Sequence, residues 1–255
     1  MKGKYVIRTV ENAMQILRLF TSEKREWTLT EIAKKKEMNI ASAQRLVKTL
    51  ENYKYIERSS ESKKYRLGLS ILRLSGIVTS TMEIHQEARP IAEALVEQLG
   101  EAVHIGVLEG SETVYLEKIE SLHPVRLASY TGKQNPGYCT GCGKVVLAYK
   151  DVREQERMMH EMSQKGFYPY ASNTVTTINQ LSEDLKEIKR QGHAVCVNEF
   201  SEGITSIAAP IYDHRETVIA AISVTGPHNR INIAESIKEV VKAGERISKN
   251  LGYIF

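Results

Sequence analysis

Between residues 27 and 68 the sequence sets two short helical repeats back to back, then two strand-like runs around a polar turn, on a strongly basic stretch. Leu29, Ile32 and Ala33 share one face of a first helix that Thr28 or Thr30 can cap. Glu37, Met38 and Asn39 form the break. The second helix, about 40–53, turns Ala43, Leu46, Val47 and Leu50 inward at the spacing that keeps one face buried. Its other face carries Ser42, Gln44, Arg45, Lys48 and Thr49, side chains that bond phosphates and base edges, and meets no acid before Glu51. The runs 55–58 and 65–67 flank a polar stretch and read as a β-hairpin wing whose tip offers Lys63 and Lys64. A pair of amphipathic helices alone implies nothing; with the wing and the charge it describes a winged helix-turn-helix.

That charge is segregated. Residues 1–68 hold 16 Lys or Arg against 8 Glu and no Asp, while the rest of the chain holds 19 basic and 23 acidic residues. The formal net charge of +4 therefore hides a basic head on a mildly acidic body. At 255 residues the chain is long for one small domain and sufficient for two. No apolar run is long enough to span a bilayer, and Glu11, Asn12 and Gln15 interrupt what would be a signal-peptide core. A cytoplasmic protein with no membrane partner is expected, its three cysteines reduced by default. Residues 9–22 read as an amphipathic helix with Val10, Ala13, Met14, Leu17 and Phe20 on one face, packed on the two DNA-facing helices.

Beyond Gly68, residues 69–81 repeat Ile71, Leu72, Leu74, Ile77 and Val78 at helical spacing, a connecting helix that either builds a dimer or packs on its own domain. A helix over 83–99 follows, with Pro90 inside it, either kinked there or starting near Arg89. Strands are expected over 103–108, 113–119, 125–129, 194–197, 204–211 and 218–224. Helices are expected over 144–149, 152–164, 178–191 and 231–251, Thr177 capping the third and Gly192 ending it. Hairpin-like pairs outnumber strict β-α-β order, so the body is an α+β domain with a largely antiparallel sheet. The organisation expected is a DNA-binding domain over 1–68, a linker helix over 69–82 and an effector domain over 83–255.

Several segments taken together, TVENAMQILRLF and the 27–68 stretch in the head, then GKQNPGYCTGCGKVVLA, RQGHAVCVNEFSEGITSIAAPIYD and VIAAISVTGPHNRI in the body, resemble the isocitrate lyase regulator (IclR) family of bacterial transcription factors. The resemblance covers nearly the whole chain, in the family's order and spacing. It implies a winged helix-turn-helix joined by a helix to a GAF-like effector-binding domain, and dimers or dimers of dimers on a two-fold symmetric operator. Carried over by position, Ser42, Gln44, Arg45 and Lys48 face DNA with Lys63, Lys64 and Tyr65 in the wing, and Thr30 joins them at the first helix. Where many members carry a Lys-Ser-Thr-Val-His-like run, this chain has Ile40-Ala41-Ser42-Ala43-Gln44, so no operator sequence is carried over.

The resemblance also places a ligand cup at 138–144, 195–197, 204–206 and 223–225, which brings in Cys139, Thr140, Gly141, Cys142, Gly143, Cys196, Ile204, Ser206, Ser223 and Thr225. The residue types there fit an anion. Gly141-Cys142-Gly143 precede a helix expected to start near Lys144, whose free N–H groups and positive dipole end suit a carboxylate. A keto acid, sugar acid or aromatic acid is the expected effector class; the alternative is that the glycines only permit a tight turn. All three cysteines fall on this cup. Cys139, Cys142 and Cys196 with His104 or His193 compose a tetrahedral zinc set. A disulfide switch between Cys139 and Cys142, with thiol pKa values lowered by the helix N-terminus, is a second reading, and small packing residues a third.

An enzyme with a Cys or Ser nucleophile and His104, His193 or His214 as base finds no nucleophile elbow, Walker loop or His-Glu-x-x-His in this sequence to support it. A purely architectural DNA-binding protein leaves the body unexplained. The expectation is a regulator, a repressor by preference, whose ligand binds one dimer arrangement better than another.

Overall fold

Ile16 is fully buried where the first helix, α1 (Arg8–Leu17), meets the helical pair behind it. The computed structural model describes residues 5–124 and 126–254, and the chain divides into two units, Met1–Thr81 and Met82–Phe255. In the first, α1 is followed by α2 (Leu29–Lys35), α3 (Ile40–Asn52), the two-stranded antiparallel wing β1 (Ile56–Arg58) and β2 (Tyr65–Leu67), and α4 (Leu69–Ser80). Thr28, not Thr30, caps α2: its hydroxyl accepts from Glu31 N–H while the Glu31 carboxylate accepts from Thr28 N–H, two orphan donors satisfied at once. Asn39 caps α3 through Ser42 N–H. Ile16, Ile32, Val47, Leu50 and Ile56 form the core, and Trp27 bridges to Tyr65 beside the wing.

One expectation changes here. The helix at the N-terminus ends at Leu17, and Val10 and Met14 lie exposed while Ile16, with Ala13 and Leu17 beside it, carries the packing. The apolar residues of α1 thus form two stripes, of which the core takes one. Residues 69–80 belong with the first unit, where the Ser70 hydroxyl donates to Tyr53 O at 3.0 Å.

The second unit begins with α5 (Glu83–Leu99), which runs unbroken through Pro90. Its sheet comprises β3 (Ala102–Glu109), β4 (Glu112–Ile119), β5 (Gln134–Pro136), β6 (Ala194–Val197), β7 (Ile204–Tyr212) and β8 (Val218–Pro227). The strands lie in the order β5-β4-β3-β8-β7-β6, every pair antiparallel. Strand periodicity sends alternate residues to opposite faces. Val103, Ile105, Ile207, Ile222 and Val224 pack against α5 and α9 (Ile233–Asn250) on one side. The other side receives α6 (Gly141–Ala148) and, behind it, α7 (Val152–Lys165) and α8 (Ile178–Gln191). The strand expected over 125–129 does not form at 126–129, which is irregular; Val125 lies outside the described residues. Three-residue β5, followed by a 3-10 turn over Gly137–Cys139, takes the edge position instead. Among the described residues no helix is long and apolar enough to cross a membrane.

Every residue of α6 is buried, because glycines let the helix sit directly on the sheet. A Cβ on Gly106 would lie 2.8 Å from Cys142 Cβ, and one on Gly143 would overlap Thr113 Oγ1 and the Gly137 backbone. Gly143→Ala is expected to destabilise the second unit by about 3 kcal/mol through overpacking. Gly76→Ala in α4, whose Cβ would meet nothing within 4 Å, is expected to raise stability by about 0.5–1 kcal/mol through helix propensity. Urea unfolding of both variants measures the contrast.

Candidate DNA interface and effector cup

The helix-turn-helix pair exposes the residues the sequence singled out. Gln44, Arg45, Lys48 and Thr49 stand exposed along α3 and Ser42 is half-buried, since Ala43, Val47 and Leu50 take the inward positions. Lys48 Nζ meets Glu51 Oε2 at 3.0 Å, a pair on the surface that phosphate can replace. Thr30 is exposed on α2. In the wing, Lys63 has a positive φ of 58° at the turn and both Lys63 and Lys64 are exposed, whereas Tyr65 is half-buried against Trp27 and under the Arg58 guanidinium. Tyr65 is thus a packing residue of the wing as much as a surface one.

In the second unit the 3-10 turn with Thr140, β6 and the turn after it, and the neighbouring ends of β7 and β8 line a cavity of ≈ 50 Å³. Cys139, Thr140, Cys196, Ile204, Ser206 and Thr225 of the expected set line it. Gly141, Cys142, Gly143 and Ser223 lie just behind that wall: a Cβ on Gly141 would sit 2.9 Å from Ser206 Oγ, and Cys142 Sγ donates to Ser223 Oγ at 3.2 Å. Tyr115, Glu199, Phe200 and Ser201 complete the lining. Sequence reasoning missed these four, although the alternation of β4 puts Tyr115 on the same face as Thr113.

The helix starts three residues earlier than the sequence indicated, at Gly141, so the Gly-Cys-Gly run is its first turn rather than its approach. Thr140 occupies the N-cap position without capping. Its hydroxyl is shared with Thr113 Oγ1 at 2.7 Å and Pro136 O at 3.3 Å instead. First-turn N–H groups of a helix have no intrahelical acceptor, and here the N-cap side chain supplies none either. The Thr225 hydroxyl donates to Ser206 Oγ at 3.1 Å on the cavity wall beside Gly141.

The cysteines behave as packing thiols. Cys139 Sγ points at Pro136 O and Cys142 Sγ at Ala221 O and Ser223 Oγ, while the Cys196 thiol bonds Glu199. Among the described residues no group of three or more His, Cys, Asp and Glu gathers closely enough to hold a metal ion, so the expected zinc set of Cys139, Cys142 and Cys196 is not assembled. His193 turns away to Gln191 O and His104 to Ser129 Oγ. The thiol acidity expected from the helix N-terminus is also reversed: burial pushes Cys142 up to about 12 and raises Cys139 and Cys196 as well.

Beneath the cup lies a charge the sequence did not flag. Lys144, 1% exposed, drives its ammonium through the core to Asp184 Oδ2 of α8 at 2.5 Å and to Glu199 Oε2 beyond β6. Burial opposes the ammonium, but the carboxylates of Glu199 and Asp184 outweigh it and hold Lys144 above the ordinary lysine range. Burial likewise raises Glu199 against the pull of Lys144. The one signal in the sequence is a lysine inside an apolar run, GKVVLA, which reads equally as a helix start.

Comparison with known proteins agrees with this geometry. Residues 76–249 match the model for the bacterial transcriptional regulator IclR C-terminal domain, and residues 9–60 match the IclR helix-turn-helix domain. The transcriptional regulator XynR of Escherichia coli (strain K12) is 31% identical over 97% of this chain and 98% of its own. An IclR transcriptional regulator from Alicyclobacillus acidocaldarius superposes with a TM-score of 0.83 at 25% identity, covering 97% of this chain and 98% of that one. An IclR homolog from Microbacterium hydrocarbonoxydans, solved with 4-hydroxybenzoate, gives a TM-score of 0.84 at 22% identity over 95% and 98% of the two chains, a likeness of fold.

Removing one partner of a buried ion pair leaves the other charge uncompensated, which costs about 3–5 kcal/mol. Lys144→Met is expected to destabilise the second unit by that amount. Adding Glu199→Gln to it is expected to restore more than half of the loss, and chemical unfolding of the two variants checks the order.

Proposed function

The chain belongs to the IclR family of bacterial transcriptional regulators, and on that premise we propose that it is a repressor released from its operator by a small carboxylate bound in the cup. Its helix-turn-helix domain binds DNA and its C-terminal domain is an effector domain. The observation that supports the carboxylate reading is the uncapped first turn of α6 immediately behind the cavity wall, beside the Ser206 and Thr225 hydroxyls. Oriented N–H groups and neutral hydroxyls stabilise one negative charge without needing a cation. Glu199 lines the same cavity, and its pairing with Lys144, which Asp184 shares, reduces the repulsion it would exert.

Repression is the simpler sign on physical grounds: a protein seated in the major groove excludes polymerase by volume alone, whereas activation requires a further contact surface. A second copy of the chain is the partner that the exposed apolar residues of α4 fit, with Leu69, Leu72, Ile77 and Val78 all left uncovered within the first unit. Two heads so paired read two half-sites of a symmetric operator, with Arg45 and Gln44 aimed at bases and Lys48, Lys63 and Lys64 at phosphates. A tenfold difference in effector affinity between DNA-bound and free forms corresponds to about 1.4 kcal/mol, which one or two directed hydrogen bonds supply.

Arg45→Ala is expected to weaken operator binding by about 1–3 kcal/mol and to leave effector affinity unchanged. Electrophoretic mobility shift on the promoter DNA upstream of the gene measures the first, and calorimetry the second. A panel of small carboxylates that includes 4-hydroxybenzoate, screened by thermal shift and then added to the shifted complex, tests the effector class. No stabilisation by any acid, or stabilisation without release of DNA, rejects the reading.

A further inference from the structure

Ile40 opens α3 and is 54% exposed. It takes no part in the core beneath the helix, where Val47 and Leu50 meet Ile16 of α1, Ile32 of α2 and Ile56 of the wing. Most other exposed apolar side chains of the first unit lie on α1 and α4, whereas Ile40 heads the helix that carries Gln44, Arg45 and Lys48. Ala41 beside it is exposed as well.

An isoleucine standing alone on a surface ordinarily needs no explanation. Its place gives this one a meaning. In a helix-turn-helix the N-terminal residues of the second helix contact base edges in the major groove. Helical side chains also lean toward the N-terminus of their own helix. Helical spacing stacks Ile40 on Gln44, and Ala41 on Arg45 and Lys48. The apolar first turn therefore extends both rows of DNA-facing side chains toward the end of the helix that enters the groove.

Little else in that turn can read a base. The Asn39 side-chain oxygen is engaged as the N-cap, accepting from Ser42 N–H at 2.8 Å. Ser42 itself is half-buried, and the turn holds no acid. Docking on DNA buries Ile40, whose side chain neither donates nor accepts. Opposite the cytosine amino group or the guanine O6 it leaves a desolvated polar group unpaired. The 5-methyl group of thymine is the apolar feature that base pairs show in the major groove.

We infer that Ile40 packs on the 5-methyl group of a thymine in the operator half-site and so specifies T·A at that position. This rests on the reading of α3 as the helix that enters DNA. It adds an apolar contact to the polar ones of Gln44 and Arg45. Thymine is favoured twice, by the methyl contact and by the unpaired groups that G·C would leave.

Deoxyuridine separates this contact from every other, because it keeps the hydrogen-bonding groups of thymine and lacks only the methyl. The full-length protein first selects its site from random-sequence duplexes. Synthetic copies of that site then carry deoxyuridine at one thymine at a time, and mobility shift at fixed salt measures affinity. At one thymine of the half-site, loss of the methyl is expected to weaken the wild-type protein about fourfold, as burial of one such group implies. Ile40→Ala is expected to bind the thymine site less tightly by a similar factor and to lose that sensitivity, while Ile40→Val keeps part of it. A wild-type protein indifferent to every thymine methyl, or equal sensitivity in Ile40→Ala, overturns the role of Ile40 and leaves α3 as the reading helix. Unchanged affinity of Arg45→Ala for the same site overturns that placement of α3, and failure to select any site overturns sequence-specific binding; the inference falls with either.

Discussion

The ammonium of Lys144 is the constraint around which the effector unit is arranged. A lysine this deeply buried is tolerated only when its charge is met, and the two carboxylates that meet it come from separate elements, Asp184 from α8 and Glu199 from the turn after β6. Three pieces of chain distant in sequence must therefore converge on one atom. Since Lys144 directly follows the Gly-Cys-Gly turn, the same pairing fixes the angle at which the α6 N-terminus meets the cup. Close contact with the sheet supplies the remaining restraint, because Gly106 and Gly143 remove the side chains that would push α6 away. Such a pair contributes little net stability over an apolar substitute; what it supplies is a single register for α6.

Hydrophobic periodicity and end signals make most of the architecture legible in the sequence. The 14-residue α8, with Thr177 at its N-cap and Gly192 in the left-handed conformation at its end, is bounded by local chemistry on both sides. The wing and recognition helix are equally plain, because Ala43, Val47 and Leu50 alternate with polar positions at helical spacing. Where sequence and structure part, the local signals are ambiguous. Residues 126–129 have strand-like composition but are held by side chains rather than by a ladder, with Lys118 donating to Leu127 O and Ser129 O. In α1 the two apolar stripes cannot be ranked by sequence, as either could face the core.

The cup is only half legible for a different reason. Its hydroxyls and glycines carry a local signature, but Glu199 and Tyr115 join it through sheet register, and Asp184 reaches it only through Lys144. Cysteine count points toward metal or redox chemistry because thiols cluster in sequence and in space. Clustering is insufficient: metal binding requires thiolates that converge, and these thiols are turned to three different partners in surroundings that keep them protonated. The same burial that disarms them makes them useful as wall, being small and indifferent to ligand charge.

Taken as charges and dipoles, the cup offers no unpaired cation. Lys144 is shared between Glu199 and Asp184, the cysteines and His104 are uncharged, and the remaining polar groups are hydroxyls and backbone N–H. A cup of that kind binds an anion through oriented dipoles rather than a fixed cation, and dipoles demand position more strictly than a point charge does. A ligand too long or too short to reach both the α6 turn and the far wall loses one set of contacts entirely. Discrimination among acids of equal charge is then a matter of where their second polar group falls.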